Sequence, residues 1–170
     1  IPIGALRGAV GAAGAEKLSQ LARGIDPRSV QTSRVEKSIG HEVTFHADIT
    51  DIEQLRVELL RLADKVAVRL RERGWVARTV GLKLRWSDFT TLSRSHTLPE
   101  PTSVGRRLHE EAVGLLESLQ PLRPVRLIGI RAEQLSESGD GALLWDPDED
   151  WREAEHSVDA VRRRFGTSAL

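Results

Sequence analysis

The chain has 170 residues, 39% of them hydrophobic and 29% charged, a balance that supplies a core for one compact domain plus an accessory segment. There is no cysteine, which excludes disulfides and thiolate metal sites. No apolar run is long enough to span a bilayer and no signal peptide is present, which points to a cytoplasmic protein with no membrane partner.

The formal net charge is zero, but it is unevenly placed. Residues 1–30 carry +2, residues 31–131 carry +4 and residues 132–170 carry −6. A basic body with an acidic tail fits an anionic partner, and it fits ordinary surface charge equally well. The chain has no Met and begins at Ile1 inside what reads as a structural segment, so it is expected to be a piece of a longer protein.

Residues 1–30 are rich in Gly and Ala, with Leu6, Val10, Leu18 and Leu21 at roughly helical spacing. Gly24-Ile25-Asp26-Pro27 breaks the pattern, which predicts two short helices and an exit. Residues 28–34 lack apolar periodicity and read as a linker. Val35, Ile39, Val43 and Phe45 then alternate with polar residues, as in a half-buried strand. Lys37 falls on the apolar side of that alternation, which predicts a bulge or an edge position there.

Thr50-Asp51-Ile52-Glu53 has the form of a capping box with Thr50 as the cap. Ile52, Leu55, Leu59, Leu62, Val66 and Leu70 make one apolar stripe, and Gly74 follows as a stop, so residues 51–73 are expected to be helical. Residues 75–86 alternate again. Val76, Val80, Leu82, Leu84 and Trp86 point to a core, and Thr79, Gly81, Lys83 and Arg85 to an open face. Phe89 to Leu98 is its expected hairpin partner, ended by Pro99 and Pro101. Thr102 is expected to cap a second helix bearing Val104, Leu108, Ala112, Leu115 and Leu119 on its inner face. Val125 to Ala132 is apolar nearly throughout, as in a central strand. An acidic loop from Leu135 to Asp150 and a helix from about Trp151 to Phe165 close the chain.

The order strand–helix–strand–strand–helix–strand predicts an α+β fold: a four-stranded antiparallel sheet with two helices on one face. Short helices precede it and a C-terminal helix follows. The expected body is residues 35–134, with residues 135–170 as loop and final helix.

Convergent chemistry is sparse. The five histidines lack metal-ligand spacing. His46, Asp48 and Asp51 can be read as a metal site, or as a polar strand end and a helix cap. Asp146, Asp148, Glu149 and Asp150 lack EF-hand spacing. No P-loop, nucleophile elbow or dinucleotide fingerprint occurs. Gly8, Gly11 and Gly14, three residues apart, suit either backbone contact with a phosphate or a turn between close-packed helices. The open face collects Thr79, Lys83 and Arg85 on one strand, Arg94 and Ser95 on the next, and Arg34, Lys37, Ser38 and Gly40 on the first. Long cations among small hydroxyls and glycines can hold phosphates; a solvated face is the other reading.

These residues carry a family resemblance. Arg34-Val35-Glu36-Lys37-Ser38-Ile39-Gly40-His41-Glu42-Val43-Thr44-Phe45 resembles the R-x-x-K-S-x-G-x-E-x-T-F signature that opens the little finger of Y-family translesion DNA polymerases of the bacterial DNA polymerase IV-like type. Arg78 to Phe89 resembles the R-T-V-x-L-K-L-R-x-x-D-F strand of that domain. Thr90 to Leu98 is similar to its T-R-S-x-T-L hairpin strand, with Ser93 in place of the more usual Thr. Val125 to Arg131 matches its last strand, and Ala22 to Asp26 looks like the exit from the thumb.

The resemblance implies that residues 1–27 are the end of a thumb and residues 35–134 a little finger that lays its open sheet face in the DNA major groove. It implies primer–template DNA as the partner, with Arg34, Lys37, Ser38, Gly40, Thr79, Lys83, Arg85, Arg94 and Ser95 near its phosphates and the turn at Gly11 and Gly14 on its backbone. It implies a magnesium-dependent parent polymerase whose catalytic carboxylates lie in a palm outside this chain. This piece would then hold no cofactor, have no activity alone and act as a monomer. The family also docks on a sliding clamp through a Q-L-x-L-F-like peptide. Leu143-Leu144-Trp145 stands where that peptide is expected, without the leading Gln; it reads equally as a loop packed on the body. A ferredoxin-like or RNA-recognition module has the same element order, but it needs exposed aromatics for stacking, and here Tyr is absent and Phe numbers three.

Overall fold

Glycine shapes the first unit. A computed structural model of the chain describes residues 2–29, 36–119, 122–139 and 148–166, and the chain divides into two units, Ile1–Val35 and Glu36–Leu170. In the first unit, α1 (Ile3–Ala22) is broken at Gly11, whose φ of 76° and ψ of 168° interrupt the helical run. Only a residue without a Cβ reaches that conformation readily. Two short helices result, as expected. The turn is at Gly11 alone: Gly14 lies within the second half, where a Cβ would meet the Val10 side chain at 3.3 Å.

The second unit is built on the apolar stripe of α2 (Ile52–Glu72). Leu55, Leu59, Leu62, Val66 and Leu70 are all buried, joined by Ala63 and Ala67. Its cap is Asp51 rather than Thr50: the Asp51 carboxylate accepts from the Glu53 backbone N–H at 2.9 Å. An aspartate beside the threonine takes the same free donor and adds negative charge at the positive end of the helix.

Four strands pair antiparallel in the spatial order β1-β4-β2-β3: β1 (Ser38–Ile49), β2 (Trp75–Trp86), β3 (Thr91–Thr102) and β4 (Val125–Glu137). Helices α2 and α3 (Gly105–Glu117) cover one face. Ile39, Val80, Leu82, Leu84, Ile128 and Ile130 of the sheet meet Leu59, Leu108 and Leu116 of the helices in a single core. Lys37 stands just before β1, so the alternation is not violated, and the register of β1 against β4 shifts later, between Thr44 and Ile49.

Strand β3 does not stop at Pro99 but runs to Thr102. Its register against β2 shifts between Ala77/Thr102 and Thr79/Thr97, so the prolines occupy a bulge on an edge strand, where a missing N–H costs no ladder bond. Opposite the bulge, the Arg78 guanidinium donates to the Leu98 and Pro99 carbonyls at 3.2 and 3.1 Å.

Thr102 does not cap α3 either. Its hydroxyl accepts from the Val104 N–H at 3.1 Å. Two of the free N–H groups of the helix are met by Glu155 of α4 (Glu149–Phe165), whose carboxylate accepts from Gly105 N at 2.9 Å and Arg106 N at 3.2 Å. The same carboxylate pairs with Arg71, which also binds Asp159 at 2.6 Å, and Arg162 binds Asp64 at 2.9 Å.

Candidate nucleic-acid interface

Because side chains alternate across a strand, the register assigns the uncovered face residue by residue. From β1 across to β3 its rows are Ser38–Glu133–Thr79–Thr97, then Gly40–Arg131–Gly81–Ser95, then Glu42–Gly129–Lys83–Ser93, then Thr44–Leu127–Arg85–Thr91. Ser38, Gly40, Lys83, Arg85 and Ser95 therefore share one surface. Arg34, Leu143, Leu144 and Trp145 lie outside the described residues, and Gly11 and Gly14 belong to the other unit. Lys37 is exposed immediately before Ser38.

Two expected positions differ. Thr79 is on this face but only 5% exposed, its hydroxyl 3.0 Å from that of Thr97; the neighbouring strands bury it, and it holds β2 to β3. Arg94 pairs with Leu82, so its parity is that of the helix-covered side. It reaches the rim of the open face because β3 is an edge strand.

One cation was not anticipated. Arg131 stands in the middle of the face, flanked in its row by Gly40 and Gly81, and its side chain is 55% exposed. The near-continuous apolar run of β4 hid it, although two residues to either side, Gly129 and Glu133, mark the same alternating face.

Two shallow depressions meet at Arg131 and Lys83. One, about 410 Å³, is lined also by Gly81, Ser93 and Ser95; the other, about 350 Å³, by Ser38, Gly40, Glu42 and Gly129. Their floors include glycines and serines, with Gly40 exposed, Gly81 partly exposed and Gly129 buried. Each cation is held. Lys83 Nζ lies 2.7 Å from a Glu42 oxygen, Arg85 Nε donates to the Thr91 hydroxyl at 2.9 Å, and Arg131 faces Glu133 at 3.4 Å. The face is thus polar and mixed in charge, with three cations and two carboxylates in its four rows.

The helix side carries a larger depression of about 590 Å³ between α2, α4 and His41. His41 titrates below the ordinary histidine range because burial, then the nearby Arg69 and Lys65, disfavour its charged form. Asp48, considered above as a ligand, is instead ion-paired with Arg126 at 3.0 Å. Among the described residues no helix is long and apolar enough to cross a membrane.

Comparison with known proteins fits this architecture. The impB/mucB/samB family C-terminal domain matches residues 36–143. DNA polymerase IV 1 of Mesorhizobium japonicum is 35% identical over 158 residues, covering 91% of this chain and 36% of that protein. DNA polymerase IV of Dehalococcoides mccartyi is 34% identical over 173 residues, covering 100% of the chain and 44% of the relative. DNA polymerase IV of Methanoculleus marisnigri is 44% identical over 119 residues, 70% of the chain and 33% of the relative. The chain spans less than half the length of these curated relatives.

Proposed function

Given that this chain belongs to the impB/mucB/samB family through its C-terminal domain, we propose that its open sheet face holds primer–template DNA by the phosphate backbone for a translesion DNA polymerase. The parent would be a DNA-directed DNA polymerase using magnesium bound outside this chain. This part would act as a monomer that positions the duplex and performs no chemistry. Docking on a sliding clamp through Leu143, Leu144 and Trp145 completes the proposal.

The observation that carries the reading is the pair of glycine- and serine-floored depressions meeting at Lys83 and Arg131. Cations at least partly exposed, beside small residues and hydroxyls, suit phosphate contacts that carry no sequence information. No aromatic residue stands in the four rows of the face, which counts against the base stacking an RNA-recognition sheet uses.

Fluorescence anisotropy with a labelled primer–template tests this. Binding is expected to be sequence-independent and to fall by roughly 0.9 log units per log unit of salt for each phosphate neutralised. Replacing Lys83→Glu together with Arg131→Glu is expected to weaken it by about tenfold or more at low salt, equally for all duplex sequences. Absence of duplex binding, or a preference for single strands unaffected by these substitutions, overturns the proposal.

A further inference from the structure

Lys83 and Glu42 are not neighbours along the chain or across one ladder. They stand on β2 and β1, with β4 between them, in the row Glu42–Gly129–Lys83. Strands lie about 4.8 Å apart, so the two side chains must meet over the central strand. They do so because residue 129 has no side chain: a Cβ there would lie 2.7 Å from Glu42 Cβ. Over that gap Lys83 Nζ reaches Glu42 Oε2 at 2.7 Å, the length of a charge-assisted hydrogen bond. The lysine side chain is 31% exposed and the glutamate 49%, so water screens the pair and it is readily exchanged.

We propose that Glu42 is an internal substitute for a DNA phosphate at Lys83, and that it sets how tightly this face grips a duplex. The proposal rests on the open face being the DNA surface. In the free protein the lysine charge is already answered by a carboxylate. An arriving phosphate must take the ammonium from Glu42 and leave that carboxylate beside a like charge. The exchange lowers the gain from the contact and keeps the grip weak. Of the three cations on the face, Lys83 is the one whose partner is brought by another strand across a gap made for it. Arg85 is held by a neutral hydroxyl and Arg131 by a carboxylate two residues along its own strand.

The test compares wild type, Glu42→Gln, Lys83→Met and the double variant, binding the same primer–template from about 50 to 200 mM salt. Circular dichroism and a thermal melt show that each surface variant is folded. Glu42→Gln is expected to bind about twofold to fivefold more tightly at low salt, the range of an exposed ion pair expressed as affinity. Its log–log salt dependence is expected to steepen by up to roughly 0.9, one further phosphate neutralised by a lysine no longer answered internally. In the Lys83→Met background the gain from Glu42→Gln is expected to shrink.

Unchanged or weaker binding by Glu42→Gln overturns the proposal while leaving the DNA surface in place. So does a gain that persists undiminished without Lys83, because Glu42 would then act through charge at large. If neither wild type nor Glu42→Gln binds duplex at low salt, the open-face reading has failed first and takes this proposal with it.

Discussion

Helices α2 and α4 are similar in length and are held in opposite ways. Seven residues of α2 are buried and they form the middle of the core. No residue of α4 is buried. It is fixed by Glu155 and Asp159 on Arg71, by Arg162 on Asp64, and by the carboxylate of Glu155 on the first N–H groups of α3. Apolar burial is non-directional and is not screened by salt. Ion pairs need particular partners and weaken as salt rises. One unit therefore contains a helix that folds with the core and a helix that depends on a few charges.

The largest expected effect is on the first kind. Leu59→Ala removes a fully buried side chain and should lower the stability of the whole unit by about 2–5 kcal/mol. Urea unfolding followed by fluorescence and by circular dichroism should shift together. If the signals of α2 and of the sheet move separately, the two do not share one core.

Arg71→Ala breaks the second kind. The Arg71 side chain is 4% exposed and serves two carboxylates and the Ser103 carbonyl. Its loss should cost about 2 kcal/mol, localised. Amide exchange should quicken in α4 and in the first turn of α3, while α2 and the central strands stay protected. Equal loss of protection everywhere would show that α4 is part of the core after all.

The smallest effect belongs to His41, on the flank of α2. Its folded pKa is lowered, so the unfolded chain takes up the proton first. Stability should therefore decline as pH falls below about 6.5 and level off once the folded form is also protonated. His41→Gln should flatten that part of the pH profile in urea melts. An unchanged slope would assign it to other groups.

What was readable from the residues follows the same division. The stripe from Leu55 to Leu70, the alternation of β2 and the order of elements are local patterns, and local patterns decide where apolar surface is buried. Most of what differs depends on partners distant in the chain; the cap of α2 at Asp51 in place of Thr50 is a local exception. Pro99 and Pro101 read as a strand end because a bulge supported by Arg78 leaves no local sign. Thr102 read as a cap because the actual cap, Glu155, is fifty residues away. At the candidate site, Lys83 and Arg85 were legible from alternation, whereas Arg131 was masked by the apolar run around it. Arg94 has the parity of the covered side and reaches the open face only at its rim, which depends on the register of β3 and on its place at the sheet edge.

The sheet order has a consequence for how the chain comes to be folded. Among the described residues β4 is the last strand to be made, yet it is the only strand paired with β1 and it lies beside β2. Until Val125 and the residues after it leave the ribosome, β1 has nothing to pair with, and Ile39 has no sheet in which to be buried. Translation at roughly 5–20 residues per second makes that wait several seconds, during which the β2–β3 hairpin and the helices α2 and α3 can form. The sheet is thus completed late, through its middle, and a chain cut before β4 leaves β1 without its sheet partner.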